Sequence, residues 1–256
     1  MMATPDPETP SPDEAKPFLD HLEELRGTLI SCLIALAIGM VLSAVFTKQI
    51  MALLTAPLLQ VEGITTLRSL RVAGAFSVIL RMAAWSGLLI SMPFIVYFVA
   101  RFVFPGLTDR ERTVVKRASG FAVGLFMFGV ILGYVVCLPI ALKMMLWFHE
   151  WIDVAAEWTV NDYIAFVVQM LLGFGLAFQL PVIVLVLGKL GIVTGEQLRS
   201  KRRHVVIFCL IVGMLMTPAD VVSQLIMAVP LYLLFEICIG ILWLDARKAA
   251  RAEKDE

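Results

Sequence analysis

Six apolar runs divide this chain, at residues 28–46, 82–100, 119–142, 164–187, 205–216 and 225–244. Crossing a hydrocarbon core of about 30 Å takes roughly 20 apolar residues in a helix, and five of the runs approach or exceed that length. No water reaches the backbone inside a bilayer, so each run must satisfy its own N–H and C=O groups, which leaves the helix as its fold. The fifth run has about twelve residues and the sixth carries Pro230 and Glu236, so both read as short spans. A segment of that kind must be shielded by protein, thin the bilayer, or turn back as a hairpin. Thr217-Pro218-Ala219-Asp220 reads as a tight turn between two helices, which favours six crossings in an all-α polytopic bundle.

Composition agrees with a lipid solvent: 60% of residues are hydrophobic and 16% charged, outside the range of soluble domains. Charge placement then orients the bundle. With six crossings, 16 of the 21 Lys and Arg residues fall on the side that holds both termini. The positive-inside rule places that side in the cytoplasm of a bacterial-type inner membrane. A hairpin in place of the last two spans leaves the same parity. Residues 1–17 are acidic and proline-rich and lack a basic start before an apolar run. They are expected to stay attached as a disordered cytoplasmic tail. Residues 18–244 form the membrane domain, and 245–256 a charged cytoplasmic tail. On the other side, Trp147, Trp151, Trp158 and Tyr163 alternate with Glu150, Asp153, Glu157 and Asp162, the pattern of an interfacial cap.

Several function classes are excluded. Net charge is zero and no basic tract is interleaved with aromatics, so nucleic acid is not a partner. Cys32, Cys137, Cys209 and Cys238 sit inside apolar runs without CxxC spacing and read as packing residues. His21, His149 and His204 lie in different segments, so no metal set forms. A nucleophile elbow, a phosphate-binding glycine loop and HExxH are absent, and no cofactor is implied. No internal repeat supports an inverted-repeat transporter.

Two polar clusters remain at the basic side. In Phe18 to Arg26, the residues Leu19, Leu22 and Leu25 share one helical face lying along the interface, with Asp20, Glu23 and Glu24 turned outward. Those carboxylates are either solvated or meet a cationic ligand. In Arg101 to Arg112, Pro105-Gly106 ends one helix and Thr108 or Asp109 caps the next. Phe102 and Phe104 make an apolar step beside Glu111, which either pairs with Arg110 or Arg112 or meets the same ligand. Glu236 costs roughly 2.5–3.5 kcal/mol at a span centre and must face protein or a water-filled cavity.

HLEELR at 21–26, FVFPGLTDRER at 102–112, FGLAFQLPV at 174–182, TPADVVSQ at 217–224 and PLYLLFEI at 230–237 resemble, in order and spacing, the signatures of the TatC family. The resemblance covers residues 18 to 244. It implies a non-enzymatic receptor for twin-arginine signal peptides that exports folded proteins using the proton-motive force. Its implied partners are single-span TatA- and TatB-type proteins, with self-association in the receptor complex. Carried over by position, Glu24, Phe102 and Glu111 recognise the arginine pair. Gln179, Met214, Thr217 and Gln224 form a polar site for a partner helix. Glu236 matches a membrane-embedded glutamate of the family. Gln179 stands where many members have glutamate, so it must act by hydrogen bonding. Val72 to Phe76 also lacks an acidic residue the family often carries. The rival readings are an ion-coupled secondary transporter built on Glu236, and a membrane enzyme with an acid site at Glu24 and Glu111.

Overall fold

The structure, a computed structural model, describes residues 12–58, 67–70, 73–103, 109–216 and 221–252. Helix α1 (Pro12–Val45) is followed by the short α2 (Thr47–Thr55) and then by α3 (Gly74–Val103). Next, α4 (Asp109–Leu132) continues through a π-turn, Gly133–Cys137, into α5 (Leu138–Trp151). After a loop come α6 (Val160–Ala177) and α7 (Gln179–Lys189), then α8 (Gly195–Ser200), α9 (Arg202–Met216) and α10 (Val221–Ala252). Five stretches are long and apolar enough to cross a membrane: His21–Val45, Gly74–Phe102, Thr113–Trp151, Val160–Lys189 and Gln224–Leu244. The protein is therefore a multi-pass helical membrane protein. The sequence 217–220, read above as a tight turn, and most of the 1–17 tail lie outside the described residues.

As the sequence implies, α9 is short, with 15 residues rising about 22 Å. The last helix is longer than its apolar run suggests. It extends over 32 residues, because the Ala-, Arg- and Lys-rich segment beyond Leu244 is built of good helix formers. Its apolar stretch alone has 21 residues, so this segment, read above as a short span, is long enough to cross unaided.

Prolines explain the two breaks inside crossing-length stretches. Pro139 has no N–H and its ring clashes with the carbonyl four residues earlier, and the π-turn immediately before it absorbs that clash. Pro181 likewise interrupts the ladder between α6 and α7, where Phe178 N still donates to Phe174 O at 3.0 Å.

Small residues set how closely the helices approach. Phe126, Phe174 and Phe178 are fully buried, and they lie against glycine: Phe126 on Gly175, Phe174 on Gly133, and Phe178 on Gly129. This aromatic-on-glycine interlock seats α6 and α7 against α4. On the other flank α1 packs along α3, with Gly39 against the backbone of Gly87 and Gly87 against that of Met40. Buried Ser43 donates to Met82 O at 3.1 Å across the same seam.

At the end opposite the basic loops, two tyrosines tie down α2. Tyr134 Oη donates to Leu53 O at 2.6 Å and Tyr163 Oη to Leu54 O at 2.7 Å. Arg68 forms an isolated parallel bridge with Thr159 and pairs with Glu157 at 3.0 Å. Trp147 and Trp151 stack with centroids 6.4 Å apart. At the basic end, a left-handed Gly191 (φ 75°) closes α7. Ile192 N bonds to Leu187 O and Gly191 N to Gly188 O, a paired arrangement that satisfies the last carbonyls.

Candidate functional site

The α1–α3 seam opens at its basic end into a concavity of about 360 Å³. Its walls are Glu24, Gly27, Thr28 and Ser31 of α1 and Phe98, Arg101 and Phe102 of α3. His21 stacks on Phe102 with ring centroids 4.7 Å apart and planes 20° from parallel. One turn on, the His21 Nδ1 atom is 3.6 Å from Glu24 Oε2. Two residues 78 positions apart in the chain, Glu24 and Phe102, therefore line one surface. The Glu24 side chain is 49% exposed, so its carboxylate faces a volume that a cationic ligand can enter. An aromatic face beside a carboxylate suits a guanidinium, which donates charge-assisted hydrogen bonds to the carboxylate and stacks on the ring. Glu111 falls on the first turn of α4, where side chains lie outside the described residues.

Sequence reasoning missed His21 and Arg101 as members of this site. His21 was legible in part, since it stands three residues before Glu24 and therefore shares its helical face. Arg101 offers no such signal, because its distance from α1 depends on helix packing.

Among the described residues, the positions assigned to a partner-helix site fall on two surfaces. Gln179 Nε2 donates to Ala122 O of α4 at 3.1 Å, whereas Gln224 Nε2 donates to Leu210 O of α9 at 2.9 Å. No hydrogen bond among the described residues joins the two glutamines. Met214 is 60% exposed on α9, one residue from Gly213, which packs on Gln224. Met214 and Gln224 thus belong to one α9–α10 surface, Gln179 to the α4–α7 surface, and Thr217 lies outside the described residues. Each glutamine uses its amide N–H on a helix carbonyl, and no described residue donates to its Oε1.

Glu236 is satisfied from two sides. Arg202 Nη2 donates to Oε2 at 2.6 Å and Tyr232 Oη to Oε1 at 2.8 Å. Arg202 is the first residue of α9 and Glu236 lies midway along α10, so the pair fixes how far α9 slides along its neighbour. Glu236 thereby faces protein, as the cost of an intramembrane carboxylate demands. A second tie is the Cys238 thiol, which donates to Pro181 O at 3.6 Å. Cys137, Cys209 and Cys238 are buried free thiols and Cys32 is half-buried.

Helices brought close by aromatic-on-glycine contacts, an intramembrane carboxylate held from two sides, and an open carboxylate-and-aromatic recess at the basic end define a polytopic membrane binding scaffold. The comparisons narrow this class. Residues 20–230 match the family described as Sec-independent protein translocase protein (TatC). The chain is 33% identical over 239 residues to the TatC protein of Aquifex aeolicus, covering 93% of this chain and 99% of that one. It is 34% identical over 229 residues to that of Escherichia coli K12, covering 89% and 88%. A relative from Akkermansia muciniphila is longer, and the 35% identity there covers 53% of its length. A crystal structure of a twin-arginine translocase receptor, TatC, superposes with a TM-score of 0.78 at 34% identity, over 88% of this chain and 98% of that one. The chain belongs to the TatC family of Sec-independent protein translocase components.

Proposed function

We propose that this translocase component is the receptor subunit, capturing the arginine pair of a twin-arginine signal peptide at its basic end. The observation that carries the reading is the recess where Glu24 and Phe102 meet. Two guanidiniums entering there meet the Glu24 carboxylate, and Glu111, on the neighbouring α4, supplies the second. Arg is preferred over Lys because its planar fork binds a carboxylate through two parallel bonds and stacks on an aromatic ring, which a single ammonium cannot do. In this reading the basic end faces the cytoplasm, both termini with it, and α9 makes the fifth of six crossings of the inner membrane. The chain itself performs no covalent chemistry. Transport follows from assembly with TatA- and TatB-type single-span proteins and further copies of itself, driven by the proton-motive force. Met214 and Gln224, with Thr217, offer one polar contact for a partner helix, and the Oε1 of Gln179 a second.

Site-specific crosslinking of a twin-arginine precursor tests this. Glu24→Ala, Phe102→Ala and Glu111→Ala, made separately, are each expected to weaken capture. Loss of one charge-assisted bond corresponds to about 1.5–3 kcal/mol, or roughly 10- to 150-fold. A twin-lysine precursor serves as the specificity control. Undiminished crosslinking and export in all three variants would remove the site.

A further inference from the structure

We propose that His21 is a built-in competitor at the signal-peptide recess, making with Glu24 and Phe102 the contacts an arginine would make, so that capture requires its displacement. This rests on the receptor reading above, because only a site for a guanidinium is blocked by such contacts. Helical spacing puts His21 on the same face of α1 as Glu24, and its Nδ1 lies 3.6 Å from Glu24 Oε2. That separation is too long for a hydrogen bond but close enough for a charged imidazole to pair with the carboxylate.

Packing of α1 along α3 brings the imidazole over Phe102, with ring centroids 4.7 Å apart and planes inclined by 20°. A flat, delocalised nitrogen group lying on this ring with one nitrogen toward this carboxylate is the arrangement a bound arginine adopts in the receptor reading. Imidazole and guanidinium share that shape, and one stands in for the other. Phe102 is half-buried, so its ring offers limited open surface, and His21 covers part of it.

The contacts are displaceable. The His21 side chain is 53% exposed, and it can turn outward without parting α1 from α3, whose spacing is set far along the seam at Gly39 and Gly87. An exposed ion pair contributes little, which leaves the stack as the larger part of the barrier. A ligand that binds only receptors with the recess vacated has its apparent affinity lowered by the vacated fraction. A stacked pair leaves roughly one receptor in three to one in ten vacated, so His21 weakens capture by about three- to tenfold. An isolated ammonium takes over the Glu24 contact but cannot lie flat on the ring, whereas a guanidinium replaces both contacts. His21 therefore raises the threshold that an incidental lysine must pass.

The test is fluorescence anisotropy of a labelled twin-arginine signal peptide titrated with the detergent-purified full chain. His21→Ala is expected to bind about three- to tenfold more tightly than the wild type. His21→Phe keeps a ring on Phe102 and should gain less. With Phe102→Ala already in place the stack is gone, and adding His21→Ala should tighten binding by about twofold or less. A residue that supported the recess instead of blocking it gives the opposite sign, weaker binding by His21→Ala. Glu24→Ala separates the two claims. Unchanged capture by Glu24→Ala removes the receptor reading, and the role of His21 with it. Weaker capture by Glu24→Ala, with no gain from His21→Ala, leaves the receptor reading standing and overturns the competitor. Equal gains from His21→Phe and His21→Ala, or an undiminished gain in the absence of Phe102, overturn it as well.

Discussion

The α1–α3 seam makes a quantitative test of how this bundle is held together. A methyl group added at Gly87 would sit 2.6 Å from Met40 Cα and 2.7 Å from Met40 N, and one added at Gly39 would sit 2.5 Å from Gly87 O. All three are backbone atoms and cannot rotate away. Carbon atoms reach their attractive minimum at about 3.5–4.0 Å, so Gly87→Ala must part the helices by roughly 1 Å. Overpacking of that kind costs about 1–3 kcal/mol. It also stretches the 3.1 Å bond from Ser43 to Met82 O, and an interhelical bond in a membrane contributes about 0.6 kcal/mol. Better helix propensity returns about 0.5–1 kcal/mol, leaving a net loss of about 1–2 kcal/mol. Gly120 and Gly124 of α4 are the internal controls, because a methyl there meets nothing within 4 Å. Gly120→Ala should therefore stabilise by about 0.4–1 kcal/mol. Unfolding of the purified protein in mixed detergent, followed by circular dichroism, separates the two. Equal midpoints for Gly39→Ala, Gly87→Ala and Gly120→Ala would refute the claim that backbone contact sets this helix spacing.

Two further outcomes follow from the polar ties. Arg202→Gln should destabilise the fold and leave Glu236 held by Tyr232 alone. A double-mutant cycle with Glu236→Gln should return a coupling of about 1 kcal/mol, and zero coupling would mean the pair does not position α9. Tyr163→Phe leaves the Leu54 carbonyl without its donor at a site where Tyr163 is 3% exposed. It should cost about 1–2 kcal/mol, more than Tyr134→Phe at its half-buried site, and should speed hydrogen exchange in α2; equal effects from both would contradict this ranking.

Much of the architecture was legible because a membrane imposes local rules. Apolar run length alone called for helices, whereas prolines were ambiguous: Pro139 and Pro181 stand at breaks, but Pro93 and Pro230 lie inside continuous helices. Helices α3 and α10 outrun their apolar runs, since the amphipathic stretch Phe76 to Arg81 leads into the second run and the Arg- and Lys-bearing residues after Leu244 continue the last one. The candidate site was visible as two separate clusters around Glu24 and Phe102, but nothing in either segment says that they meet. In the polar set, Gln179 and Gln224 bond to different helices, α4 and α9, which their sequence positions do not reveal.

Run length, charge asymmetry and motif order are properties of consecutive residues, so the sequence by itself determined a multi-pass helical protein and its resemblance to TatC. Which residues share a surface depends on helix spacing, and only the tertiary structure decided that. Gly39 and Gly87 bring α1 against α3, and so Glu24 beside Phe102. Glycines under Phe126, Phe174 and Phe178 set the α4–α6–α7 contact. Arg202, one of several cations in its loop, is the partner of Glu236 because it starts the short helix that packs on α10. In each case the deciding contact joins residues far apart in the chain, where local patterning carries no information about distance.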